Sequence, residues 1–202
     1  RYLLIFILAF FPLSGQVKAS SELDAPQIDY INKIKERGFL KVGLPPYVTP
    51  PFYYPDEKTG EMAGYDIDLV TGFANKLGVE VEFDRDSKNF NDTVFRAGKG
   101  DFDLAIGKLS TTYKRMSDTH PHEYMNFRQA LLVNRRFVAS IDRGLSEDIL
   151  GQDLLNSKMK VGIIGGSSWE SYANQFMPSA QKIGYKDWPA VKKALFETNE
   201  ID

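Results

Sequence analysis

The sequence predicts an α/β protein: a mostly parallel sheet with helices on its faces, laid out as two lobes. Between residues 39 and 107, short apolar or alternating runs and amphipathic stretches follow one another as strand, helix, strand, helix, strand. That rhythm is the signature of a parallel sheet covered by helices. Glycine follows the helical stretches at Gly38, at Gly78 and at Gly98 and Gly100, where glycine can take the left-handed position after a helix at no steric cost. The same rhythm restarts after residue 146, without a detectable sequence repeat.

Composition narrows the function. Of the 202 residues, 43% are hydrophobic and 26% charged, ordinary for a globular protein. The net charge is -2, with acids and bases interspersed, so no clustered basic surface of the kind nucleic acid requires is present. Arg135-Arg136 and Lys192-Lys193 read as solvated pairs. There is no cysteine, which excludes disulfides, thiolate metal sites, thiol catalysis and a lipid-modified N-terminal Cys.

Tyr2 to Leu13 is an apolar run broken only at Pro12, followed by small and polar residues and Val17-Lys18-Ala19. It is shorter than the roughly 20 residues of a membrane span. It reads as a secretory signal over residues 1–19, cleaved after Ala19, or else as an uncleaved anchor or a buried helix; the signal reading predicts a periplasmic location. Gln27 to Arg37 has Ile28, Ile31 and Ile34 on one helical face. Phe39 to Leu44 is a strand, and the Pro-rich aromatic stretch Pro45 to Pro55 a stiff, extended loop. Asp56 to Gly60 is turn chemistry, and Asp66 to Leu77 a helix. Val79 to Phe83 alternates as a strand, Phe90 to Ala97 is a helix, and Phe102 to Gly107 a third strand. Gln129 to Ser140 is read as a long strand crossing between lobes. Ser146 to Leu155 is a Ser-capped helix and Met159 to Ile164 a strand. Gly165-Gly166-Ser167-Ser168 opens a helix reaching about Phe176; a weak strand at Lys182 to Tyr185 and a helix from Pro189 to Glu197 follow.

In such sheets ligands bind outside the carboxyl ends of the strands, which marks two segments of the first half. Ser110-Thr111-Thr112-Tyr113-Lys114-Arg115 offers hydroxyls and a guanidinium fork suited to an anion, or else a capped turn with a surface arginine. Tyr47, Phe52, Tyr53 and Tyr54 can stack on a ligand or plug the core; Phe52 suits the core better and Tyr47 the ligand. In the second half, Gly166-Ser167-Ser168 frees backbone N–H groups at a helix start, where the dipole favours an anion, or is a plain serine cap. Phosphate-loop spacings are missing. His120-Pro121-His122-Glu123 lacks helical His-x-x-x-His spacing, so no metal is expected. Asp66/Asp68 and Asp101/Asp103 read as caps and surface charges.

These segments, taken in order, resemble the periplasmic amino-acid-binding proteins that feed ABC transporters, solute-binding family 3. The resemblance runs through Arg37 to Gly43, Pro51-Phe52, Gly64 to Leu69, Leu77 to Val79, Lys99 to Asp103, Ser110 to Arg115, and Val161 to Glu170. It implies a type II periplasmic-binding fold, with lobe 1 over residues 20–133 and a partial lobe 2 over residues 134–202. Arg115 would hold the ligand's α-carboxylate, helped by Ser110. Ser167 and Ser168 would add contacts from the second lobe, and Tyr47 and Phe52 an aromatic wall. Lys108 stands where many amino-acid binders have a small or hydroxyl residue; it would favour an acidic ligand or fill the site. Thr49 stands where an aromatic is frequent. Glu200-Ile201-Asp202 resembles the start of a stretch that leads to an ammonium-binding acid, so the chain is expected to be part of a longer protein.

The expected activity is therefore non-enzymatic capture of a small molecule, an amino acid, by a monomer that uses no cofactor and partners an ABC permease in the inner membrane. Two alternatives stay open. One is a sensing or substrate-recognition module of a larger envelope protein; the other is an enzyme like the periplasmic cyclohexadienyl dehydratases, with Glu123 or His122 recruited.

Overall fold

A computed structural model describes residues 25–128, 130–141 and 147–202. The proposed signal, the Ser146 cap and Gln129 lie outside the described residues. Helix α1 (Ala25–Arg37) leads into strand β1 (Phe39–Gly43) through Gly38, at φ 85°. A short hairpin follows, β2 (Tyr54–Pro55) and β3 (Met62–Ala63), then α2 (Tyr65–Leu77), β4 (Glu80–Asp84), α3 (Phe90–Gly98), β5 (Leu104–Ala105) and α4 (Tyr113–Met116). The second half carries α5 (Arg135–Ile141), α6 (Glu147–Asn156), β6 (Lys160–Ile164), α7 (Ser168–Phe176), β7 (Gln181–Tyr185) and α8 (Trp188–Lys193).

The first sheet is parallel, in the order β4-β1-β5, with Phe39 opposite Glu80 and Val42 opposite Leu104. Its core is Leu40, Val42 and Leu44 packed against Ile67, Val70 and Ala74 of α2 and against Tyr53. The second sheet pairs β6 with β7, also in parallel, Lys160 opposite Gln181. It builds two smaller clusters, Met159-Met177-Ala180 and Ala194-Leu195-Ile201. Among the described residues no helix is long and apolar enough to cross a membrane.

Four sequence expectations are corrected. The long crossing strand at Gln129 to Ser140 is not formed: Asn134 accepts from the Arg136 N–H at 2.9 Å and starts α5. Leu131 and Leu132 remain exposed, with no ladder partner among the described residues, so nothing rewards an extended backbone there. The third strand shrinks to Leu104–Ala105 because Gly107 (φ 133°) and Lys108 (φ 54°) turn the chain off the sheet. The aromatic loop folds back instead of staying extended. The Phe52 N–H donates to the Thr49 carbonyl at 2.8 Å and the Thr49 N–H to the Tyr53 carbonyl at 2.9 Å, closing a turn inside the loop, and Tyr53 is fully buried. Finally, Asp66 and Asp103 are not surface charges. Asp66 is fully buried, and Asp103 pairs with Arg37 while accepting from the Lys41 N–H at 2.7 Å.

Candidate ligand-binding site

The site begins where the chain leaves β5. A Cβ at Gly107 would press on Pro45 and the Tyr53 ring, so the turn lies directly over the loop that follows β1. Thr112 then caps α4, its hydroxyl accepting from the Arg115 N–H at 3.4 Å. This single turn brings the Arg115 side chain back beneath Ser110. Arg115 is 6% exposed, not the surface arginine of the plainer reading. Its Nη1 donates to the Ser110 carbonyl at 2.8 Å, and its Nε and Nη2 donate to Asn91 Oδ1 at 3.2 and 2.8 Å. Burial pulls the guanidinium below its ordinary pKa, though an arginine stays charged.

The second half meets this group from the other side. Gly166, at φ 68°, sits where any Cβ would run into the Asn89 side chain. The Asn91 N–H donates to the Gly166 carbonyl at 2.9 Å, and the Ser168 hydroxyl donates to the Ser110 hydroxyl at 3.0 Å. Glu170, in the first turn of α7, accepts from the Gly166 N–H at 2.9 Å. Ser167 is turned inward: its hydroxyl donates to the Ile164 carbonyl at 2.6 Å. Of the two serines, only Ser168 reaches across with its side chain.

The other predicted residues form neighbouring clusters. Tyr47 stacks on Phe90, with ring centroids 4.5 Å apart, and burial raises its phenol pKa. Phe52 meets Phe127 edge-on at 5.3 Å, and the Lys108 ammonium lies 4.6 Å from the first ring centroid and 4.7 Å from the second. The Lys108 N–H donates to the Tyr124 hydroxyl at 3.3 Å, which itself donates to Asp66 Oδ1 at 3.0 Å. Desolvation raises the Asp66 pKa, partly offset by Tyr124 and Lys108; desolvation also lowers that of Lys108, which Asp66 partly restores.

His120, His122 and Glu123 are exposed, and no group of metal-ligating side chains occurs among the described residues. An apolar cavity of about 450 Å³ lies in the second half, lined by Trp169, Phe176, Met177 and Trp188; none of the seven predicted residues lines it. Sequence reasoning missed Asn89, Asn91, Asp66, Tyr124 and Phe127. A signal existed for the asparagines, since Asn89-Phe90-Asn91-Asp92 opens a helix beyond the carboxyl end of a parallel strand.

The family model for bacterial extracellular solute-binding proteins, family 3, matches residues 40–195. The chain belongs to that family. Similar curated proteins include a glutamine-binding protein of Geobacillus stearothermophilus, 27% identical over 176 residues, which cover 82% of this chain and 65% of that protein. An L-cystine-binding protein of Bacillus subtilis is 32% identical over 91 residues, 40% of this chain and 34% of that one. The chain thus spans less than two thirds of the length of these curated relatives. Among solved structures, an ancestral amino acid-binding protein, a precursor of cyclohexadienyl dehydratase, superposes with TM-score 0.70 at 26% identity, covering 86% of this chain and 71% of that one. A Streptococcus pneumoniae amino acid ABC transporter substrate-binding protein bound to L-arginine gives TM-score 0.66 at 23% identity, covering 85% and 68%. The fold is that of the type II periplasmic binding proteins.

Proposed function

We propose that this family 3 chain captures an amino acid between its two lobes, outside the cytoplasm, and delivers it to an ABC permease. The observation that carries the reading is Arg115. It is a buried cation with no carboxylate within ion-pair distance among the described residues. An uncompensated buried charge is costly, and an anionic ligand removes the cost. A guanidinium carries five N–H donors; the three bonds to Asn91 and Ser110 leave two, enough to grip one carboxylate as a fork. Ser110 and Ser168, already touching across the lobes, would supply hydroxyls beside it. Export through residues 1–19 and lobes meeting near residue 133 belong to the same proposal, as do Tyr47 and Phe52 as walls and Ser167 as a backbone donor.

Calorimetry against the twenty amino acids tests it. Binding of at least one is expected, weakened by about 2–5 kcal/mol in Arg115→Ala, since the ligand's buried carboxylate loses its charge partner. Unchanged affinity in that variant would remove Arg115 from the site. The dehydratase-precursor neighbour motivates a second reading, turnover of a cyclohexadienyl acid. His122 and Glu123, the groups that reading would recruit, are exposed, which disfavours it; an absorbance assay showing turnover would restore it.

A further inference from the structure

We infer that Lys108 sets the ligand's charge class: its ammonium fills the aromatic cage of Phe52 and Phe127, so the site admits an acidic amino acid and rejects cationic ones. The inference rests on the amino-acid-capture reading. Two ring faces within about 6 Å of a cation are what a protein uses to recognise an ammonium or guanidinium ligand. Here the rings come from separate segments, Phe52 in the loop after β1 and Phe127 in the segment after α4, and they close at 4.6 and 4.7 Å on the protein's own ammonium. A cationic side chain would have to displace Lys108 or sit beside a like charge.

The position is held rather than incidental. Lys108 occupies a left-handed φ of 54°, a conformation that costs a non-glycine residue energy and persists only where its surroundings impose it. They do so through the Lys108 N–H to Tyr124 and Tyr124 to Asp66, fully buried beneath. Asp66 is the nearby countercharge, yet none of the ion pairs found among the described residues includes the ammonium. Its donors are therefore left for a ligand. Lys108 also lies two residues before Ser110, whose carbonyl fixes Arg115. One guanidinium for the α-carboxylate and one ammonium for a second acidic group describe a dicarboxylic amino acid.

The test is calorimetry of the full chain, as wild type, Lys108→Gly and Lys108→Asn, with L-glutamate, L-aspartate, L-glutamine, L-arginine and L-lysine. Glycine and asparagine both tolerate the left-handed backbone. The expected wild-type result is glutamate or aspartate bound at least roughly 100-fold more tightly than arginine or lysine, since like-charge juxtaposition costs several tenfold steps. Lys108→Gly and Lys108→Asn should then lose about tenfold or more for the acidic ligand and gain measurable arginine or lysine binding. Wild type that prefers arginine, lysine or glutamine overturns the inference and leaves amino-acid capture standing, as does an unchanged acidic-to-cationic ratio in folded variants. No binding of any of the five, nor of any other amino acid, overturns the capture reading itself. Wild-type selectivity decides the matter even if both variants fail to fold.

Discussion

Asn91 is the residue on which the Arg115 geometry turns. One carbonyl oxygen accepts two guanidinium N–H groups while its own backbone N–H reaches Gly166 on the facing lobe. Hydrogen bonds to a charged group contribute about 1.5–3 kcal/mol, so Asn91→Ala should weaken ligand binding roughly 10- to 100-fold. If Asn91 acts by aiming Arg115, the loss will not add to that of Arg115→Ala in a double-mutant cycle measured by calorimetry; full additivity would assign Asn91 a separate contact. Asp66 supports a pH prediction. Its folded-state pKa lies above the ordinary carboxyl value because it is buried, so the folded state holds the proton more tightly than the unfolded one. That contribution is complete below the unfolded carboxyl pKa, about 4, and is lost as pH rises through the folded value. The stability of wild type relative to Asp66→Asn, followed by urea unfolding from pH 4 to pH 7, should therefore decline as pH rises. A difference that grows with pH would show that pairing with Lys108 outweighs burial.

At the scale of elements, the loop from β6 into α7 sets how closely the lobes meet. Gly166→Ala introduces a side chain at φ 68° and directs it at Asn89. The backbone strain alone costs roughly 1–2 kcal/mol, equivalent to a melting-temperature drop of about 2–8 °C for a chain of this size. The clash adds a loss of ligand affinity. Asn89→Gly in the same chain should restore affinity while leaving the melting temperature low, because glycine substitutes for an N-cap at a cost of a few tenths of a kcal/mol but relieves no strain at residue 166. Calorimetry and thermal melts on the two variants separate the effects. This loop was readable in the sequence because glycine and serine before an amphipathic run have few other uses; so were β1, β4, α2 and α3, each carried by periodicity and stopped by glycine or a polar cap. The 130–141 segment was not, because its apolar content fits a strand while the Asn134 side chain decides for a helix. Nor was Asp66: a carboxylate at a helix start looks like a cap until Tyr124, 58 residues away, covers it. Arg115 stood out in the sequence as a candidate for holding an anion, but its depth and its dependence on Asn91 are products of packing between segments 24 residues apart.

For the whole molecule, the question is what holds the lobes together. The contacts found across them around Arg115 are the Ser168–Ser110 hydroxyl pair, the Asn91–Gly166 backbone bond and the fit of Gly166 against Asn89. These are polar, and such bonds contribute about 0.5–1.5 kcal/mol each after water is displaced. The hydrophobic clusters, by contrast, lie within each sheet's own layer. Closure on this balance is weakly favoured, and a ligand that binds Arg115 and the serines together supplies the rest by differential affinity for the closed arrangement. Two measurements follow from this one argument. At a ligand concentration 100 times its Kd, binding to the folded state adds about 2.7 kcal/mol, a rise in melting temperature of roughly 5–10 °C. Small-angle scattering should show the radius of gyration falling on ligand addition in the wild type and remaining at its ligand-free value in Arg115→Ala. A radius that is already minimal without ligand, combined with the same thermal shift, would mean that the inter-lobe contacts suffice for closure and that the ligand enters a preformed site.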